Sequence, residues 1–286
     1  MMDDLYTRFK AYAMPNGGIS MSYLVDSSFT LIEARYNADN ISKIKSEMEL
    51  AGCTEIDLLH ISSWDSECCN YEELVRLLDE MQPLEIEIPA YEPSDENGKM
   101  CRKLIREFCN RPNLTELFEA GHKSLEDPSS LPDADFTDII FSPMKNYQDD
   151  EDNSIIKIFR QGKFSLLNVS RSNRAEEVLE LLRKTDLVSS VDILIIYGWE
   201  ESKMCNFVSR QFIDEVNPNL ITLAGKEPQL MIKKSNNNLD DRGIRYRKTE
   251  QGDILVKYGI MSRKENVNLE NNDVVGNGEY KKLVVR

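Results

Sequence analysis

The order of predicted elements points to a layered α/β sandwich, two packed sheets with helices outside, built as one domain. Three observations carry this expectation. Hydrophobic residues make up 41% of the 286-residue chain and are spread in short runs, enough for a continuous core. The runs repeat one scheme in both halves: hairpin, helix, strand, helix, strand. No stretch of linker-like composition separates the halves, and the length suits one large domain.

The first run, Phe9 to Met14, ends at the turn cluster Pro15-Asn16-Gly17-Gly18. Ser20 to Val25 and Phe29 to Ala34 are predicted strands joined by Asp26-Ser27-Ser28, which makes an N-terminal antiparallel sheet. Ile41, Ile44 and Met48 recur at helical spacing, so 38–52 is a predicted helix with Gly52 at its C-terminal end. Ile56 to Ile61 is a predicted buried strand and Tyr71 to Met81 an amphipathic helix. Glu85 to Ile88 forms a short strand stopped by Pro89, and Met100 to Asn110 another helix. Residues 125–152 are rich in Asp, Ser, Pro and Asn, interrupted by an apolar strand from Asp138 to Ser142.

The second half opens with a hairpin, Ser154 to Phe159 and Lys163 to Val169, closed at Gln161-Gly162. A helix from Arg174 to Lys184, a buried strand from Val191 to Tyr197, a helix from Asn206 to Val216 and a strand from Leu220 to Ala224 follow. Ile244 to Lys248 and Asp253 to Lys257 flank Gln251-Gly252 as a predicted final hairpin. The main domain spans 1–260, and 261–286 is a polar, Asn-rich C-terminal tail.

Net charge is −15, from 35 basic and 50 acidic residues, with a pI near 4.7. Nucleic-acid binders present a basic stripe that displaces counterions from phosphates. The densest basic stretch here, Arg242, Arg245, Arg247 and Lys248, lies beside Asp240, Asp241 and Glu250 and reads as a solvated strand edge. Charge therefore disfavours direct nucleic-acid binding and favours a protein partner with a basic face. The six cysteines form no C-x-x-C pair, which suits reduced thiols. The start, Met-Met-Asp-Asp, lacks a signal-peptide pattern, and no apolar run approaches the ~20 residues of a membrane span. The expected location is the cytoplasm, away from membranes.

Leu59 to Cys69, Leu-His-Ile-Ser-Ser-Trp-Asp-Ser-Glu-Cys-Cys, is the most informative stretch. A buried strand runs into a polar, acid-containing turn and then an amphipathic helix, the layout of a metal-hydrolase ligand loop. Such a loop is rich in histidine, and the whole chain has two, His60 and His122. His60, inside an apolar run, reads as a buried histidine with a hydrogen-bond partner; the alternative is a ligand. Cys68 and Cys69 read as structural thiols, with no matched Cys/His set for a metal site. Asp65 and Glu67 read as caps of the Tyr71 helix or as solvated acids; the alternative is an acid/base pair. Trp64 and Trp199 either pack or form an aromatic patch for a partner. Gly17-Gly18 is a turn.

In sequence order these motifs resemble the metallo-β-lactamase fold, in particular the hydrolase module of the DNA-uptake (ComEC-type) branch. Met14-Pro15-Asn16-Gly17-Gly18 lies where that branch has its glycine turn. Leu31-Ile32-Glu33-Ala34 resembles the strand ending in Ile-Asp-Gly or Ile-Asp-Cys. Ser62 to Cys68 occupies the place of Thr-His-x-(His or Asp)-x-Asp-His. Asp152 to Ile156 with Gly162 to Leu167 resembles the strand pair before a Gly-Asp ligand, and Lys248 to Ile254 resembles the closing Thr-Asp-x-x-Gly-x-Ile segment. The resemblance implies a four-layer αββα sandwich of two mixed sheets.

It also implies a dismantled metal centre. The first ligand histidine falls on Ser63, the His-or-Asp on Asp65, the metal-binding Asp on Glu67 and the last histidine on Cys68. The Gly-Asp pair falls on Ser170-Arg171, and the later histidine turn on Tyr197-Gly198-Trp199. The expected pocket positions are thus Ser63, Asp65, Glu67, Cys68, Arg171 and Gly198, with no metal and no cofactor. The implied function is a catalytically inactive relative that binds another protein as a structural or regulatory subunit, with Trp64 and Trp199 as candidate contacts. A bacterial anti-phage complex is the setting suggested by analogy. The alternatives are a divergent metal-dependent phosphodiesterase or nuclease using Asp65, Glu67 and His60, and a nucleotide sensor in which Arg171 grips phosphate.

Overall fold

A computed structural model describes residues 6–112, 115–120, 138–141, 154–161, 164–169, 183, 191–197, 210–224, 245–249, 252–258 and 284–285. The described residues form two mixed sheets. The first has eight strands and the second six.

In the first sheet, β1 (Thr7–Ala11), β2 (Met21–Val25) and β3 (Ser28–Ile32) are antiparallel neighbours, as their short turns require. The chain then changes mode. β4 (Leu58–His60), β5 (Glu85–Pro89) and β6 (Glu116–Ala120) run parallel to β3, each reached through a helix. Those helices are α1 (Ile41–Ala51), α2 (Tyr71–Met81) and α3 (Glu96–Cys109). Each boundary has a local cause. Gly52 adopts a left-handed φ of 69° and closes α1, while Asn70 and Asp95 cap α2 and α3 by accepting from Glu73 N and Gly98 N. α3 starts earlier than the apolar spacing predicts because Asp95 sets its first turn.

The second sheet repeats the plan. β7 (Ile139–Phe141), β8 (Ile156–Gln161) and β9 (Phe164–Asn168) are antiparallel, then β10 (Ile193–Tyr197), β11 (Leu220–Ala224) and β12 (Arg245–Lys248) continue parallel. α4 (Arg210–Val216) precedes β11 and is anchored by buried Phe212 and Val216. The helix predicted for 174–184 lies outside the described residues apart from Arg183.

Two expectations are corrected. The closing hairpin does not form: β12 belongs to the second sheet, whereas β13 (Ile254–Tyr258) pairs antiparallel with β1 in the first. The five-residue connection, 249–253, has the length of a hairpin loop, but the chain uses it to cross between sheets. β6 has no counterpart in the sequence reading, because five residues with two glutamates carry little strand signal. Val284–Val285, as β14, pairs with β13, so the end of the polar tail belongs to the sheet.

Two cores follow from strand alternation. Leu31, Leu59, Ile61, Ile86 and Ile88 face the helices and pack with Ile44, Leu74, Leu77, Leu78 and Ile105. Phe9, Met21, Tyr23 and Ile32 face the second sheet and meet Phe159, Phe164, Leu166, Ile193 and Ile195. Tyr23 stacks with Phe164, centroids 6.2 Å apart. The alternate residues of β3, β4 and β5 therefore point between the sheets, and that is where the polar groups gather.

Candidate functional site

The loop Ile61–Cys69 leaves β4 and is sewn to its surroundings through its backbone. Ile61 N donates to Glu87 O, Ile155 N to Ser62 O, Ile19 N to Glu67 O, and Ala34 N to Cys68 O, all within 2.8–2.9 Å. The loop thus touches β5, the approach to β8, the glycine turn and the end of β3. Arg35 fastens it from outside: its guanidinium is bidentate to Glu73 on α2 (2.7 and 2.8 Å) and donates to Ser66 O. Gly18, at φ 109°, exists to admit that guanidinium, since a Cβ there would lie 2.3 Å from Nη1.

Glu33 sits beneath the loop. It ends β3 in a left-handed conformation, φ 65°, a strain on the order of 1 kcal/mol for a residue with a side chain. Its fully buried carboxylate accepts from the Ser62 hydroxyl, from Ser62 N at 3.2 Å, and from the Tyr197 hydroxyl at 2.7 Å. Tyr197 belongs to β10, so this hydrogen bond joins the two sheets where the loop ends. Burial pushes the Glu33 carboxyl up, against the opposing pull of His60, Ser62 and Tyr197. Burial, with Glu33 beside it, also drives the Tyr197 phenol well above its ordinary value.

A second polar group lies deeper between the sheets. His60 Nδ1 bonds to Glu87 Oε1, and Lys157 Nζ donates to both Glu87 oxygens at 3.1 and 3.2 Å. Lys157 also pairs with Asp138 at 3.2 Å. His60 is packed edge-on against Phe159, and among the described residues its Nε2 has no hydrogen-bond partner. Burial works against the Glu87 anion, but Lys157 and His60 hold its carboxyl down to about 2. Burial likewise opposes the Lys157 cation, and Glu87 and Asp138 outweigh it and raise its value.

The predicted pocket positions can now be placed. Ser63 is buried, its hydroxyl 3.4 Å from the Tyr91 hydroxyl. Asp65 accepts from Glu67 N at 2.8 Å and so caps the loop's own turn; Asn70, not Asp65 or Glu67, caps the Tyr71 helix. Cys68 lies in the inter-sheet core and Cys69 in the helix-side core, as expected of structural thiols. His60 is the buried, hydrogen-bonded histidine predicted from its apolar run. Trp64 corrects the expectation of a rim contact. It is fully buried, donates from its indole to Tyr91 O and from its backbone to the Tyr91 hydroxyl, and its Cβ would meet one added at Gly98 of α3. Arg171, Gly198 and Trp199 lie outside the described residues.

The overall fold resembles known structures. No protein-family model matches the chain, and no curated protein matches it in sequence. Igni18, described as a novel metallo hydrolase from the hyperthermophilic archaeon Ignicoccus hospitalis, superposes with a TM-score of 0.51 at 10% identity, over 89% of this chain and 100% of that one. The chain has a metallo-β-lactamase-like fold. Two further structures are similar at lower scores. A putative metal-dependent hydrolase from Parabacteroides distasonis gives 0.44 at 12% identity over 81% and 89% of the two chains. Tm1679, a metal-dependent hydrolase of the β-lactamase superfamily, gives 0.47 at 10% identity over 90% and 100%. The fold assignment rests on the first.

A metallo-β-lactamase-like fold raises the question of whether these residues suit a metal. A pair of ions ~3.5–4 Å apart needs a full ring of imidazole and carboxylate donors. The described loop supplies a serine hydroxyl beside Tyr91, a capping aspartate and a core cysteine, and no group of three or more His, Cys, Asp or Glu side chains among the described residues could hold an ion. The described donor set does not fit. Sequence reasoning missed Glu87 and Lys157, although each is flanked by apolar residues in its strand, Ile86-Glu87-Ile88 and Ile155-Ile156-Lys157-Ile158-Phe159, and that is a readable signal of inter-sheet pairing.

Proposed function

We propose that this metallo-β-lactamase-like chain is catalytically inactive and works as a protein-binding structural or regulatory subunit. One observation carries the reading: the loop that would present metal ligands spends its side chains on the fold. Ser62 serves Glu33, Ser63 and Trp64 serve Tyr91, Asp65 caps its own turn, and Cys68 packs between the sheets. The finer placement, in the DNA-uptake branch with degenerate motifs, rests on the order of those motifs along the chain. A cytoplasmic bacterial anti-phage complex is the setting that branch suggests. No helix among the described residues is long and apolar enough to cross a membrane.

The test combines two measurements on the purified protein. Elemental analysis after dialysis is expected to give no stoichiometric zinc or manganese, and purification from the native host a protein partner. Manganese-dependent hydrolysis of a phosphodiester, abolished by Asp65→Ala, with no partner recovered, would overturn the reading in favour of an enzyme.

A further inference from the structure

The larger sheet ends in a short edge strand, β6. β6 is the last strand of the eight-stranded sheet, and among the described residues no strand lies beyond it. Its backbone orientation follows from its pairing with β5. Glu116 N donates to Leu84 O at 2.8 Å, so in this parallel pair the N–H and C=O of Glu116, Phe118 and Ala120 turn toward β5. Those of Leu117 and Glu119 turn outward. An open edge of this kind is a template for another strand.

The side chains at this edge define what would fit. Phe118 shares the inter-sheet face with Glu87, yet β6 lies at the margin and Phe118 stays 43% exposed. It is one of four large hydrophobic residues exposed among the described residues, and Leu84, at the start of neighbouring β5, is another. The same face carries Glu116 beside Phe118 and Glu85 beside Glu116 on β5, both exposed. Burial and then the like charges of Glu87, Glu116 and Asp138 push the Glu85 carboxyl up, with Lys157 only partly opposing them. Negative charge is therefore in excess here. On the opposite face, Glu119 is already paired with Arg106 at 2.7 Å.

We propose that the β6 edge is the docking surface for an extended, basic segment of a partner protein, which adds a strand to the eight-stranded sheet. The added strand bonds to the outward amides and carbonyls of Leu117 and Glu119, lays an apolar side chain on Phe118, and sets Lys or Arg beside Glu116 and Glu85. This rests on the protein-binding reading and names the surface and chemistry of the contact.

The experiment uses the full-length protein and a labelled peptide of alternating Lys and Val, with a Glu-for-Lys counterpart. The Lys peptide is expected to bind, more weakly at high salt, and to slow amide exchange at Leu117 and Glu119, while the Glu peptide does not bind. Phe118→Asp and the double variant Glu85→Gln/Glu116→Gln are each expected to weaken binding about tenfold. Leu50→Asp, on the exposed side of α1, is expected to leave it unchanged. Each altered side chain is exposed, so the variants should fold, and unchanged circular dichroism checks this. The proposal is overturned if the peptide does not bind, if binding ignores Phe118→Asp, or if both amides already exchange slowly in the free protein because the edge is covered by the chain itself or a second copy. A partner recovered from the host that Phe118→Asp still binds would overturn the β6 edge and leave the subunit reading standing. Peptide binding at the edge with no partner recovered would sustain the edge and defeat the subunit reading.

Discussion

Two polar clusters lie between the same pair of sheets and solve burial in opposite ways. Around Glu87 a carboxylate is matched by charge: Lys157 and His60 crowd it, and its acid form is held off to about 2. Around Glu33 no cation bonds the carboxylate directly among the described residues: two hydroxyls and one amide do, and burial pushes its acid form up against these and the pull of His60. A buried anion without a cation costs more than hydrogen bonds return, so the group moves toward neutrality. The first cluster is an ion lock between β5 and β8. The second holds the loop in place with a side chain whose charge burial disfavours.

The comparison breaks most sharply at Lys157. Lys157→Met strips the cation from Glu87 and Asp138, and breaking a buried pair from one side costs about 3–5 kcal/mol. Urea melts should show that loss with little change in slope, and adding Glu87→Gln should recover a large part of it. Survival of Lys157→Met with an unchanged midpoint would mean that the pair is effectively solvated.

A smaller effect separates the clusters by pH. Glu87, with its folded value depressed, contributes stability above its unfolded value of about 4.3 that is lost as pH falls toward 2. Glu33, with its folded value raised, contributes stability at acid pH that is lost as pH rises through the folded value. Glu33→Gln, which keeps the shape and an acceptor, should therefore gain on the wild type as pH rises through the folded value. Glu87→Gln should do the reverse, losing its deficit as the medium is acidified. Parallel curves for both variants would erase the distinction drawn here.

The smallest expected effect is at half-buried Asp65 in the loop. Asp65→Ala removes one turn cap, worth about 1 kcal/mol, and thermal melts should register no more. A larger loss would mean that Asp65 supports the buried part of the loop as well.

Much of this was readable from the residues. Period-two and helical spacing located β2, β3, α1, α2, β9 and β10 because each buries one defined face, and the motif order led to the four-layer sandwich. The site was readable only in part. The strand-loop-helix frame and the buried state of His60 followed from local pattern. The partners of Glu33 did not, since Tyr197 meets it across the sheets and no local signal links residues so far apart. Trp64 was misplaced for a related reason: a tryptophan in a polar loop looks exposed until α3, with its close-packed Gly98, covers it. The final hairpin failed because turn length says nothing about which sheet receives the next strand.

The insertion of β13 beside β1 has a consequence for how the protein is made. Phe9 pairs with Val256, near the opposite end of the chain, and β14 then pairs along β13. During synthesis β1 therefore waits with an open edge until β13 has emerged. A chain stopped before Ile254 would keep that edge bare, and its fate would be self-association or proteolysis. β13 thus acts as a seal that closes the edge of β1 only once residues 254–258 have been made.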